Sequence, residues 1–210
     1  MPSFSSGRAL IAAVMERYRA LSAYSDVGQV STRLRNGEHV LTFETTADAG
    51  GNFRFTFQSP HPYWPLRHKV TTHIVGRAQG QSYLYSLTSS GQARLENIAE
   101  LRSGVAAATG ISAGAAHTIA GLLYADVGGW TFANLKRPRR RAPRVVDGVL
   151  CHRITGLQGR TPVVVYVGVE DLLLRKFADR KSRAVEVRRH VDVDRARPPE
   201  HFEMPGSNKG

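Results

Sequence analysis

One cysteine, Cys151, stands in a chain of 210 residues, which excludes an internal disulfide and any thiolate-rich metal site. No run of about 18 apolar residues occurs, so no stretch reads as a membrane-crossing helix. Neither an H-x-H nor an H-E-x-x-H spacing is present to seed a metal centre, and no glycine loop is shaped to cradle a phosphate. Acids are scarce: 17 Asp and Glu face 29 Lys and Arg, for a formal net charge of +12. The opening MPSFSSGRALIAAVMERY lacks the basic start, continuous apolar centre and small-residue cleavage site of a secretory leader. What is plentiful is apolar material, 41% of the residues, enough for a core and against wholesale disorder.

The positive charge is unevenly placed. Residues 1–130 carry 11 Lys and Arg against 8 Asp and Glu, whereas residues 131–210 carry 18 against 9. The densest stretch is KRPRRRAPR, basic at Lys136, Arg137, Arg139, Arg140, Arg141 and Arg144 and kept extended by Pro138 and Pro143. Nucleic-acid binding would call for interleaved aromatics or a recognition helix; neither is here, and no nucleic acid is expected. An anionic membrane surface or an acidic partner protein needs only charge. A solvated basic hairpin without a partner is the plain alternative.

Periodicity supplies the architecture. Leu10, Ile11, Val14, Met15, Tyr18 and Leu21 recur at helical spacing, with Ser5 or Ser6 able to cap the start. Strand signals follow, punctuated by Asn36-Gly37 and by Gln79-Gly80-Gln81-Ser82 as hairpin turns. In NFRFTFQS the residues Phe53, Phe55 and Phe57 share one face, and three rings on one face need cover from a helix or a ligand. Residues 92–125 read as two helices. Strands return in GWTFANLK, in RVVDGVLCHRITGL with Asp147-Gly148 at its turn, and in three further runs ending in SRAVEVRRHVDVD. One helix, about five strands, two helices and about five strands make an α+β fold: an antiparallel sheet with helices grouped on one face. It is expected as a single domain over 1–205, with 206–210 a flexible tail.

GISAGAAH, residues 110–117, has the G-x-S-x-G spacing of a hydrolase elbow, with His117 close behind. An elbow needs a strand before its serine, but the preceding LENIAELRSGVAAATG is helical in pattern. Gly110 is expected to end one helix in a left-handed conformation and Ser112 to cap the next. No catalytic residue is therefore assigned. His61, His68 and His73 read as lone histidines, Glu170-Asp171 as a tight turn and Cys151 as a small buried hydrophobe; neither metal nor cofactor is expected.

Four stretches carry a family resemblance: ALIAAVMERYRALSAYSDVGQV, NFRFTFQSPHPYW, VVVYVGVEDLLLRKF and RHVDVDRARPPEHFEMP. With the two central helices between them, the chain resembles the LolA/LolB-like superfamily of bacterial lipoprotein carriers, in particular its uncharacterised periplasmic branch. The resemblance implies a strongly curved antiparallel sheet, an unclosed barrel, with helices covering the concave face and acyl chains held between. It implies a periplasmic, non-enzymatic protein that binds a lipid or other hydrophobic ligand. Phe43, Phe53, Phe55, Phe57, Tyr83, Tyr85 and Trp130 would line the pocket, and residues 136–144 would approach an anionic membrane surface or a partner envelope protein. Other superfamily members are envelope sensors that bind a partner protein, and at least one is a cofactor-free enzyme; both stand as alternatives. No position here matches the carriers' cavity arginine.

Overall fold

The structure, a computed structural model, describes residues 4–34, 37–60, 70–128 and 132–205. Helix α1 (Gly7–Arg19) leads into six strands: β1 (Ala23–Leu34), β2 (Gly37–Asp48), β3 (Phe53–Pro60), β4 (Val70–Ala78), β5 (Gln81–Thr88) and β6 (Ala93–Ile98). Helices α2 (Leu101–Ile111) and α3 (Ala115–Leu123) follow. Five more strands complete the sheet: β7 (Lys136–Val146), β8 (Val149–Gln158), β9 (Thr161–Gly168), β10 (Leu174–Asp179) and β11 (Ala184–Val193).

All eleven strands belong to one sheet, in the order β6-β5-β4-β3-β2-β1-β11-β10-β9-β8-β7. Two antiparallel meanders are thus joined by the pairing of β1 with β11, in which Gly28 faces Arg188 and Val30 faces Glu186. Strands β6 and β7 lie at opposite ends and do not pair with each other, so the barrel stays unclosed. Helix α2 packs over β4, β5 and β6, while α1 packs against α3 and β7.

Local chemistry explains the elements. Ser6 Oγ accepts a 3.1 Å hydrogen bond from Ala9 N and caps α1, whose Leu10, Ile11, Val14, Met15 and Tyr18 are buried. Strand β3 alternates in burial along its length, its three phenylalanines inward. The tight turns at Gln79-Gly80 and Asp147-Gly148 place both central residues at positive φ (50° and 81°, 45° and 81°), the geometry that suits the twist of a two-residue hairpin.

Two expectations are corrected. Residues 93–98 form strand β6 rather than the start of a helix; Ser82 to Leu87 of β5 pair with them, and that pairing overrides the weak strand propensity of ARLENI. In GWTFANLK, residues Phe132–Asn134 make a single 3-10 turn and the strand begins only at Lys136. Asn36 of the first turn, the whole HPYWPLRH loop with His61 and His68, residues 129–131 and the 206–210 tail lie outside the described residues.

Candidate functional site

The inner face of the sheet is built on a ladder of rings. Register sets Phe43 opposite Phe57, and Phe57 opposite His73. Phe43 stacks on Phe55 with centroids 5.4 Å apart, Phe55 leans on Phe57 at 5.6 Å, and Phe57 stacks on His73 at 4.9 Å. The four phenylalanines, Phe53 included, are at most 2% exposed. Phe43 covers Gly28, where an added Cβ would stand 2.3 Å from its ring.

Tyr83 and Tyr85 do not join this ladder. They pair with Gly76 and Ile74 of β4, whereas Val75 and His73 of that strand face the phenylalanines. The period of two therefore sends both tyrosines to the outer face. There Tyr83 lies over Gly76, and its hydroxyl donates to Phe202 O at 3.2 Å, pinning the C-terminal segment to the back of the sheet. Tyr85 also borders the smaller of the two cavities described next. Trp130 is outside the described residues.

Two open cavities lie between sheet and helices. One, of about 240 Å³, sits between α2 and β4–β6 and is lined by Phe57, His73, Leu84, Ala107, Ala108 and Ile111 among others. The other, of about 520 Å³, sits under the junction of α2 and α3, with Val30, Thr109, His117, Thr118, Phe177 and Glu186 in its wall. The first wall is mainly apolar, the second mixes apolar side chains with Thr32, Gln158, Asp179, Ser182 and Glu186, and each holds one half-buried histidine. Burial holds His73 and His117 below the usual histidine range, so the rings favour the neutral form. His73 Nε2 shares a 3.2 Å hydrogen bond with Ser59 Oγ, and His117 Nε2 one of 3.1 Å with Gly128 O.

Beneath α3 the inner face carries an ionic cluster that sequence reasoning missed. Arg188 is fully buried and donates from Nε to Glu186 Oε1 at 2.6 Å and from Nη1 to Asp26 Oδ2 at 2.6 Å. Its Nη2 donates to Ala115 O of α3 at 3.0 Å, and the guanidinium sits 4.6 Å from the Phe43 ring centre. Tyr24 adds its hydroxyl to Asp26 Oδ2 at 2.5 Å. Burial, the first cause, raises the Glu186 carboxyl above its ordinary value, against the opposing pull of Arg188. Burial likewise pushes the Tyr18 phenol, which accepts from Leu174 N at 3.0 Å, up to about 12. A buried arginine facing two carboxylates ties the centre of the sheet to a covering helix. The one legible signal was spacing: Glu186 and Arg188, two apart on a strand, must share a face.

The G-x-S-x-G match is a helix junction. Ser112 is fully buried directly after α2, and its Oγ accepts a 3.2 Å hydrogen bond from Ala116 N of α3. The left-handed residues are Ala113 (φ 51°) and Gly114 (φ 95°) rather than Gly110, because α2 runs on to Ile111 before the chain turns. His117 bonds to Gly128, not to the serine. At the Glu170-Asp171 turn, Asp171 accepts from Leu173 N at 3.0 Å and pairs with Arg175. Among the described residues no group of three or more His, Cys, Asp or Glu could hold a metal ion. The basic run forms edge strand β7, with Lys136, Arg137, Arg139, Arg140, Arg141 and Arg144 all exposed.

No family model matches this chain, and no curated protein matches it in sequence. Solved structures share its architecture. LprF from Mycobacterium bovis superposes over 95% of this chain and 96% of its own, at 9% identity and a TM-score of 0.52. MucB superposes over 94% of this chain and 62% of its own, at 11% identity and a TM-score of 0.51, so the chain spans under two thirds of that protein. A LolA superfamily protein from Nitrosomonas europaea aligns over 95% of this chain and 98% of its own, at 10% identity and a TM-score of 0.37. The fold is LolA-like: among the described residues, one unclosed antiparallel sheet with three α-helices.

Proposed function

We propose that this chain is a non-enzymatic envelope protein that holds a hydrophobic molecule, an acyl chain or similar, between its sheet and its helices. The observation that supports this most directly is the pair of open cavities between sheet and helices, the smaller of which reaches Phe57 of the ladder. The larger, at about 520 Å³, falls within the roughly 300–1,000 Å³ of small-molecule sites. The rings themselves are already covered by protein, so the ligand lies along the helices rather than on the phenylalanines. A periplasmic setting goes with this reading, by likeness of fold.

A second reading, a sensor module that binds a partner protein, draws on a solved complex of the same fold. Pseudomonas aeruginosa MucB with MucA superposes on this chain at a TM-score of 0.50 and 10% identity, over 94% of this chain and 60% of its own. Solvent extraction of natively purified protein, followed by mass spectrometry, separates the two. A stoichiometric acyl-containing molecule is expected. Clean protein that takes up no apolar probe and captures one specific polypeptide overturns the first reading in favour of the second. A turnover abolished by His117→Gln would move the protein to the cofactor-free enzymes instead.

A further inference from the structure

The outer face of β7–β10 carries a row of cations that the cavity reading does not use. Register places Arg141 opposite Arg153, Arg153 opposite Tyr166 and Tyr166 opposite Lys176, one continuous line across four strands. Arg139 faces Thr155 and Arg144 faces Cys151; both partners are two residues from Arg153, so these arginines share the same face. The inner side of the same strands holds the buried Ile154, Val165 and Phe177, which fixes the row as outward.

Like charges opposite each other on paired strands are unfavourable; the acid on this face, Asp171 over Gly168, is already paired with Arg175. Among the described residues none of Arg139, Arg141, Arg144, Arg153 or Lys176 forms an ion pair with a carboxylate. Arg153 Nε is buried without a hydrogen-bond partner. Lys176 has only the ring of Tyr166, with Nζ 5.8 Å from its centre. The acid nearest in sequence to Arg144, Asp147, is held by Arg189 at 2.7 Å. At the tip of the β7–β8 hairpin, Val145 and Leu150 face each other at 66% and 44% exposure, one position on from Arg144 and Cys151 and so on the opposite side of the ribbon from the row.

We propose that the outer face of β7–β10 docks on an anionic lipid bilayer, with the arginines on the headgroups. Charge complementarity asks for a dense anionic layer. The single aromatic ring in the row is occupied by Lys176, so no platform remains for stacking bases. Docking stands independently of what the cavities hold.

The test is co-sedimentation of the full chain with vesicles of phosphatidylcholine alone or with about one third phosphatidylglycerol, at low and raised salt. Binding is expected only to the anionic vesicles, weakening as salt rises. Arg139→Gln, Arg141→Gln and Arg144→Gln together are expected to lower partitioning on the order of a hundredfold. The double variant Val145→Ser with Leu150→Ser, on the other side of the hairpin, is expected to leave partitioning unchanged. These side chains are exposed, and an unchanged melting curve confirms that the variants fold. Equal binding to neutral vesicles, no binding to either, or undiminished binding by the triple variant overturns the proposal. Tighter binding to duplex DNA than to anionic vesicles overturns it in favour of a nucleic acid.

Discussion

Arg188 is the residue whose loss should be felt most. Removing its side chain leaves Asp26 and Glu186 buried with no cation between them, and breaking a buried pair in this way costs about 3–5 kcal/mol. Arg188→Ala is therefore expected to lose that much in urea unfolding. Arg188→Leu combined with Asp26→Asn and Glu186→Gln should recover much of it, because no unpaired charge remains. His117 makes a pH prediction. Burial holds its value below the ordinary one, so between the two values the unfolded chain binds more protons and stability rises with pH. Its contribution is present above about pH 6.5 and is lost as pH falls through the folded value. His117→Gln should make the fall of the urea midpoint between pH 7 and 5 shallower than in the parent, the remainder coming from His73 and His152, which burial also holds low.

At the scale of elements, the strands were largely legible because alternation, turn pairs and the phenylalanine run all agreed. Which side of a strand faces the helices was not. In VEVRRHVDV the pattern invites the valines inward, yet Glu186 and Arg188 are buried on the inner face while Val185 and Val187 are half-exposed outside. Alternation defines two faces; only pairing with Val30 and Gly28 says which is covered. The same limit misplaced Tyr83 and Tyr85. Strand β7 was readable as extended but not as sheet, since proline cannot donate to a ladder. It is tolerated here because β7 is an edge, and the two register shifts, between Lys136 and Arg139 and between Arg141 and Arg144, fall at Pro138 and Pro143. Gly28 shows how tightly the centre is built. A Cβ there would lie 2.3 Å from Phe43 Cζ and 2.4 Å from the Val187 carbonyl oxygen. Gly28→Ala is expected to cost about 1–3 kcal/mol, measurable as a lowered urea midpoint.

The molecule as a whole is two meanders joined at β1 and β11, with α3 tied to the join through Arg188 and α2 laid over β4–β6. Its larger cavity sits under the turn of Ala113 and Gly114, so filling that space from the helix side tests the binding role without touching the sheet. Thr109→Phe is expected to cut uptake of a fluorescent fatty acid at least tenfold. It should also abolish the ligand-induced rise in melting temperature, which in the parent reflects about 2.7 kcal/mol when ligand stands at a hundred times its Kd. The open barrel leaves two rims of unlike character. One, β7, is guarded by prolines and arginines that repel an incoming strand. The other, β6, has no strand beyond it among the described residues. Growth by strand addition has a single usable end, so two copies meeting there would terminate each other: a closed pair, and no fibre.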